Sequence, residues 1–355
     1  MNGIEQSVAT RERLVQHYHA YPRLELQDLF KFLYQSAFGC EHLISSVEAA
    51  VSGIQNERDT LVSATETPVE QLDGAYSRVP LSCALSAQTL GKLLALSAKH
   101  EENGAAALTQ KLAVARELIT DGTFPFVVAD FDSAVAAWEK TGFSALHHSA
   151  SFRNAYHPSY RVIANAYIPF FPLFAELDKR LENGTVTVAI EGGSASGKTT
   201  LAGILSRLYG CTVLHMDDFF LQPAQRTAER LSEVGGNVDR ERFLAEVLQP
   251  LSRREPITYR PFDCHTQRIG EAVTVTPAQL TVVEGAYSMH PTLAPYYDFS
   301  VFLDVPPAVQ KTRIVKRNSP EMAQRFFNEW IPLETAYFTQ TDIQHRCDRV
   351  ICVSQ

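Results

Sequence analysis

The sequence predicts an α/β protein: a parallel sheet with helices on both faces, preceded by a mainly α-helical N-terminal domain. Three observations carry that prediction. Residues 192–199 read Gly-Gly-Ser-Ala-Ser-Gly-Lys-Thr, which satisfies G-x-x-x-x-G-K-[ST], with an apolar β-branched run before it and helical spacing after it. From residue 185 onward, short apolar runs alternate with helical stretches, the pattern of a parallel sheet. Before residue 183, apolar residues recur at helical spacing.

In the first region, Arg11–Tyr18, Glu25–Phe38, Val47–Arg58, Ala87–Lys99, Ala105–Ile119 and Asp132–Thr141 offer helical periodicity or strong helix formers. Pro22, Gly39, Gly53, Pro80, Gly104, Gly122 and Gly142 punctuate them. The pair Asn183-Gly184 reads as a helix C-cap, so the domains are expected at 1–183 and 184–355. A chain of 355 residues exceeds what one core usually serves. In the second region the expected strands are 185–191, 212–217, 280–284, 299–304 and 348–353. The expected helices lie near 197–209, 239–253, 307–317 and 320–340.

Composition narrows the class. Apolar residues make up 45% and charged ones 20%, as in a soluble globular protein. The net charge of −8 argues against nucleic-acid or acidic-membrane partners. The six cysteines form no C-x-x-C and read as reduced thiols. The N-terminus Met1–Ser7 lacks a secretory core, which makes the cytoplasm the expected location. The stretch Val162–Leu177 is interrupted by Asn165, Pro169 and Pro172; it reads as core or a docking segment, not as a membrane span.

The glycine-rich loop carries the clearest chemistry. Gly192, Gly193, Ser194, Ala195, Ser196, Gly197, Lys198, Thr199 and Thr200 are the expected nucleotide-binding residues, with ATP as the default nucleotide. Backbone N–H groups converge on a phosphate at a helix N-terminus. Lys198 reaches the β/γ-phosphates, and the Thr199 hydroxyl ligates Mg²⁺. Ligands in parallel sheets bind past the carboxyl ends of strands, and there the chain places Asp217 and Glu284. Asp217 suits a base or orienting group for an acceptor hydroxyl, Glu284 a second acidic group near the metal. Asp239 opens a helix after Gly235-Gly236. Tyr259, Arg260, Phe262, Asp263, His265 and Arg268 bring an aromatic, a carboxylate, an imidazole and guanidiniums together, which suits a polar, ring-bearing or anionic small-molecule acceptor. Arg313 and Arg317 lie on a basic helix and suit stabilisation of transferring charge.

These residues resemble the uridine kinase and phosphoribulokinase family of phosphate-loop kinases over about residues 185–353. The loop is similar to that family's G-x-S-x-S-G-K-T-T. Met216-Asp217-Asp218-Phe219-Phe220 resembles its D-S-F-Y, Asn237-Val238-Asp239 its N-F-D, Val283-Glu284-Gly285 its F-E-G, and Phe302-Leu303-Asp304 its F-V-D. The resemblance implies a catalytic role for Asp217, sugar-hydroxyl binding by Asp239, and lid positions for Arg313 and Arg317. The chain departs from the family at Phe262-Asp263-Cys264-His265-Thr266-Gln267-Arg268, where the histidine comes two positions early, and at Arg317-Asn318 in place of R-D. The implied activity is phosphoryl transfer from ATP to a hydroxyl of a nucleoside such as uridine. Another nucleoside, a sugar, a sugar phosphate or a pantothenate-like alcohol stays open as acceptor, as does an ATP-dependent regulatory switch, and self-association is undecided. The N-terminal domain resembles a helical extension on some bacterial uridine kinase-like proteins, a likeness that implies no activity. It adds polar clusters at Gln35, Cys40, Glu41 and His42, at His147-His148-Ser149, and at Arg153, Tyr156, His157, Tyr160 and Arg161. Packing, a small-molecule pocket, or a metal site from Cys40, His42, His147 and His148 are the readings they allow.

Overall fold

The structure, a computed structural model, describes residues 3–40, 44, 46–61, 68–98 and 103–353. It divides into two compact units, Met1–Phe171 and Pro172–Gln355. The helix Phe171–Leu181, ahead of the Asn183-Gly184 pair, therefore falls almost wholly in the second unit.

In the first unit the principal helices are Gly3–Ala20, Leu26–Phe38, Val47–Thr60, Ala87–Ser97, Gly104–Thr120 and Val128–Glu139. Leu29, Phe32 and Leu33 on the second of these, and Leu108, Ala115 and Leu118 on the fifth, are buried at helical spacing. Each such leucine or phenylalanine contributes roughly 1.5–3 kcal/mol when fully buried. The unit also holds an antiparallel sheet that the sequence does not announce, with strands Glu70–Gln71, Tyr76–Pro80 and Tyr160–Ala164. All five residues of Tyr76–Pro80 are buried, so the alternation that marks a half-exposed strand is missing. The stretch from Val162 onward, expected as core or a docking segment, is this third strand, then a 3₁₀ turn over Asn165–Phe170 and the helix Phe171–Leu181.

A polar mesh lies at the centre of this unit. Arg78, 2% exposed, packs over the Phe32 and Tyr160 rings and donates to Gln35 Oε1 at 2.9 Å and Glu70 Oε2 at 3.1 Å. His17 Nδ1 lies 2.6 Å from Glu70 Oε1. His148 bridges Asp28 Oδ1 at 2.9 Å and the Tyr160 hydroxyl at 2.6 Å. Both nitrogens of His148 are thus engaged, which leaves no lone pair for a metal. Cys40 is buried with Sγ 3.6 Å from Leu94 O, while Glu41 and His42 lie outside the described residues. Among the described residues no three His, Cys, Asp or Glu side chains cluster as a metal site.

In the second unit five parallel strands lie in the spatial order Arg349–Cys352, Phe299–Asp304, Val186–Gly192, Leu280–Glu284, Thr212–His215. From the first strand in sequence the chain moves one way to the second, then back across the sheet to the third, fourth and fifth. Right-handed crossovers therefore put Lys198–Tyr209 on one face and later helices on the other. The reversal lies beside Val186–Gly192, where such sheets bind ligands. Val188, Ala189 and Ile190 of that central strand are fully buried. The strands agree with the sequence expectation to within a residue or two. Two helical runs, 240–252 and 320–341, each contain one π turn, at Leu244–Leu248 and Phe326–Trp330. Among the described residues no helix is long and apolar enough to cross a membrane.

The mesh makes the first unit acid-sensitive. Burial, the largest cause, lowers His148 from 6.5 to about 4, while Asp28 and Glu70, held by their partners against burial, sit at about 2. Unfolded His148 takes up a proton below pH 6.5 and folded His148 does not, so stability falls between pH 6.5 and 4; buried His17, also lowered, adds to this loss, and Glu70 and Asp28 add theirs as pH falls through their ordinary values of 4.5 and 3.8. Urea unfolding at pH 7 and pH 4.5, followed through Trp138 in a Trp330→Phe background, should show a loss of about 2 kcal/mol. His148→Gln should reduce that slope, leaving the part carried by His17 and Glu70; an unchanged slope would assign the acid sensitivity elsewhere.

Candidate active site

The loop between the central strand and the helix Lys198–Tyr209 is shaped by its backbone. Gly192 has φ of 146°, and a Cβ there would stand 2.6 Å from the carbonyl oxygen of Leu303. Ala195 takes φ of 57°, a conformation that L-residues adopt at a cost and that gathers at functional loops. The helix N-terminus after Gly197 has no side-chain cap, so its first N–H groups are free to meet an anion. Lys198 Nζ donates to Gly192 O at 2.8 Å and Gly193 O at 2.9 Å.

The parallel register puts Glu284 beside Ile190 on one side and His215 on the other. Thr199 Oγ1 donates to Glu284 Oε1 at 3.0 Å, and His215 Nδ1 lies 2.6 Å from the same oxygen. Burial raises Glu284, but the hydrogen bond and charge of His215, with Lys198 and Thr199, outweigh it and hold the carboxyl below its ordinary range. The hydrogen bond to Glu284 is the main reason His215 is raised. A hydroxyl and a carboxylate 3.0 Å apart are a hard-oxygen donor set, and Mg²⁺ commonly takes one or two protein oxygens and completes its shell from phosphate and water. Thr199 and Glu284 fit that ion.

Asp217 lies in the 3₁₀ turn Met216–Phe219 that follows the second strand. Its side chain is open to solvent yet set among protein atoms. Desolvation raises its carboxyl, Lys198 pulls the other way, and Glu284 adds to the rise. Asp218 is raised by burial and accepts from the Tyr259 hydroxyl at 3.3 Å.

The residues expected on the acceptor side divide. Asp239, 4% exposed, caps the helix that starts at Arg240: Oδ1 accepts from Arg242 N at 3.2 Å, and Oδ2 from Gln225 Nε2 at 3.0 Å and Arg242 Nε at 3.3 Å. Arg242, to which the sequence reading gave no role, also donates to Asp218 O and Arg260 O and lies over the Phe219 ring. The segment from Ile257 is a two-step hairpin, 257–259 paired with 273–275 and 262–263 with 268–269. Phe262 is buried beneath the Arg226 guanidinium. Asp263 holds the hairpin tip, accepting from His265 N and Thr266 Oγ1, while the side chains of Arg260, His265 and Arg268 are exposed.

Of the two arginines expected at lid positions, the structure brings Arg313 to the loop, where Nη1 donates to Ala195 O at 3.1 Å and Ser196 O at 3.3 Å. Arg317 stacks on the Phe326 ring instead. Three further side chains reach the loop that the sequence reading did not single out. Gln310 Nε2 donates to Ser194 O at 2.8 Å. Glu334 accepts from Ser194 N at 2.8 Å and from its hydroxyl at 2.6 Å. Glu191, fully buried just before the loop, accepts from the N–H groups of Gly192, Tyr287 and Met289 and from the Tyr337 hydroxyl. Burial pushes Glu191 up to about 7 against those bonds. A carboxylate inside an apolar strand was visible in the sequence; the contacts of Gln310 and Glu334, across more than a hundred residues, were not.

No protein-family model matches the chain, and no curated protein matches it in sequence. Among solved structures it is similar to one described as a possible uridine kinase from Bacillus stearothermophilus, at 24% identity and a TM-score of 0.38, over 50% of this chain and 99% of that one. It is similar to a candidate fructose transport system kinase from Silicibacter sp. TM1040, at 23% identity and 0.39, over 47% and 89%. It is also similar to shikimate kinase from Acinetobacter baumannii in complex with shikimate, at 18% identity and 0.26, over 50% and 88%.

The unequal placement of the two arginines has a measurable consequence. Arg313→Ala should weaken ADP binding roughly tenfold, since it leaves two loop carbonyls without a charged donor. Arg317→Ala should change it by less than about threefold, the scale of one exposed ring contact. Equal losses in calorimetric titrations would put both on the loop.

Proposed function

We propose that the second unit is an ATP:alcohol phosphotransferase for a small metabolite. The observation that carries this reading is the meeting, past adjacent strand ends, of the loop lysine Lys198, the Thr199–Glu284 oxygen pair and the raised carboxyl of Asp217. Phosphoryl transfer has a loose transition state, so positioning and charge neutralisation supply most of the acceleration. The loop amides and Lys198 bind the β- and γ-phosphates. Thr199 and Glu284 would hold Mg²⁺, which would neutralise charge on the phosphates. Arg313 keeps the loop in shape from outside. Asp217 orients the acceptor hydroxyl and takes its proton; a carboxyl lifted by desolvation is the better base.

For the acceptor, a nucleoside such as uridine is the first choice, on the strength of the sequence motifs. Asp239 is occupied by its cap and by Arg242, which moves acceptor recognition towards Asp218, Tyr259 and the hairpin. Sugars, sugar phosphates and pantothenate-like alcohols remain in the same class.

ADP release with Mg-ATP across nucleosides, sugars, sugar phosphates and pantothenate tests the reading. Release should depend on one acceptor class. Lys198→Ala should abolish it, and Asp217→Asn should cut turnover by at least about a hundredfold while ATP still binds. ADP release that ignores the acceptor, or an asparagine variant with near-normal turnover, would overturn the assignment.

A further inference from the structure

A nucleotide-binding loop keeps its N–H groups available for phosphate. Here one of them is taken by the protein itself. Glu334, on the helix Ile331–Thr341, is 5% exposed and closes both carboxylate oxygens on Ser194, one on the backbone N–H and one on the hydroxyl. Lys198 and Asp217, the carboxylate assigned to the acceptor, both lie within electrostatic reach of it. On the assignment of Asp217 to the acceptor, this is the end of the loop at which a γ-phosphate would meet the acceptor hydroxyl. A buried carboxylate and a phosphate cannot share one N–H donor, and their like charges repel strongly where water is excluded.

The rest of the helix is arranged to register the difference. Tyr337, one turn beyond Glu334, donates to Glu191 Oε2 at 3.2 Å, and Glu191 in turn holds Gly192. Phe338 packs edge-on against Phe302 of the sheet. Glu334 and Tyr337 thus tie one face of a single helix to the two ends of the segment 191–194.

We infer that Glu334 is a specificity-determining residue of the nucleotide site: its carboxylate holds the transfer end of the loop, a terminal phosphate must displace it, and a nucleoside diphosphate need not. The site therefore holds the triphosphate less tightly than the loop alone would. After transfer Glu334 returns to Ser194, and the diphosphate is left without a grip at that end. This rests on the nucleotide reading of the loop given above.

Calorimetric titration of the full chain with ADP and with the non-hydrolysable triphosphate AMP-PNP, both with Mg²⁺, tests it. Glu334→Gln keeps an amide oxygen for Ser194 but removes the charge. It should bind AMP-PNP roughly tenfold more tightly than the wild type and ADP within about twofold. Amide exchange over 331–341 should rise on AMP-PNP binding in the wild type and change less in the variant. Unchanged or weaker AMP-PNP binding, or an equal gain for both nucleotides, overturns the inference. If Glu334→Gln fails to fold, Glu334→Asp, with a shorter reach, should show the same preferential gain for AMP-PNP, and a loss there overturns the inference as well. A wild type that binds neither nucleotide, like a Lys198→Ala control, would instead overturn the nucleotide reading itself.

Discussion

One buried carboxylate organises the second unit. Glu191 ends the apolar core of the central strand, and its two oxygens collect N–H groups from Gly192, Tyr287 and Met289 together with the Tyr337 hydroxyl. A carboxylate without these partners would not survive full burial, and without the carboxylate the donors would be orphaned. The bonds fix the first residue of the phosphate loop against the segment that follows Glu284. Tyr287 there has φ of 72°, a strained backbone that the Glu191 contact helps to hold. The separation between the loop and the Glu284 strand end, on which Thr199 and Glu284 depend, is thus set from beneath rather than by the loop sequence alone.

Much of this architecture could be read from the residues because its determinants are local. The strand, glycine loop and helix around 186–209 each follow from a few consecutive positions, and the remaining strands appear as apolar runs of the right length. The three-stranded sheet of the first unit escaped because its middle strand is buried at every residue and its first is two residues long, so neither shows alternation. The polar mesh around Arg78 escaped for another reason. Its members come from positions 17 to 160 and are polar residues in helices and strands, which on average belong at the surface.

The site divides in the same way. Lys198, Thr199, Asp217 and Glu284 were legible because strand ends in a parallel sheet bring such residues together whatever lies between them. Asp239 was legible as a carboxylate, but its position three residues before Arg242 at a helix start was the stronger signal, and in the structure the cap and the ion pair take both its oxygens. Glu334 and Gln310 could not be read locally, since nothing around them says which face of a long helix will meet the loop.

That face is decided by the π turn at Phe326–Trp330. A π turn holds one residue more than an α-helical turn, so every side chain beyond it is rotated by about 100° relative to an unbroken helix. The extra residue acts as a phase shifter: it decouples the outward face of the helix, carrying Arg325, from the inward face carrying Glu334 and Tyr337. Losing a single codon in this stretch would relieve the π turn and leave Glu334 and Tyr337 on the inward face. Straightening the turn into unbroken α-helix with every residue kept would instead present Leu333 and its neighbours to the loop and lose both carboxylate contacts at once, without a single substitution.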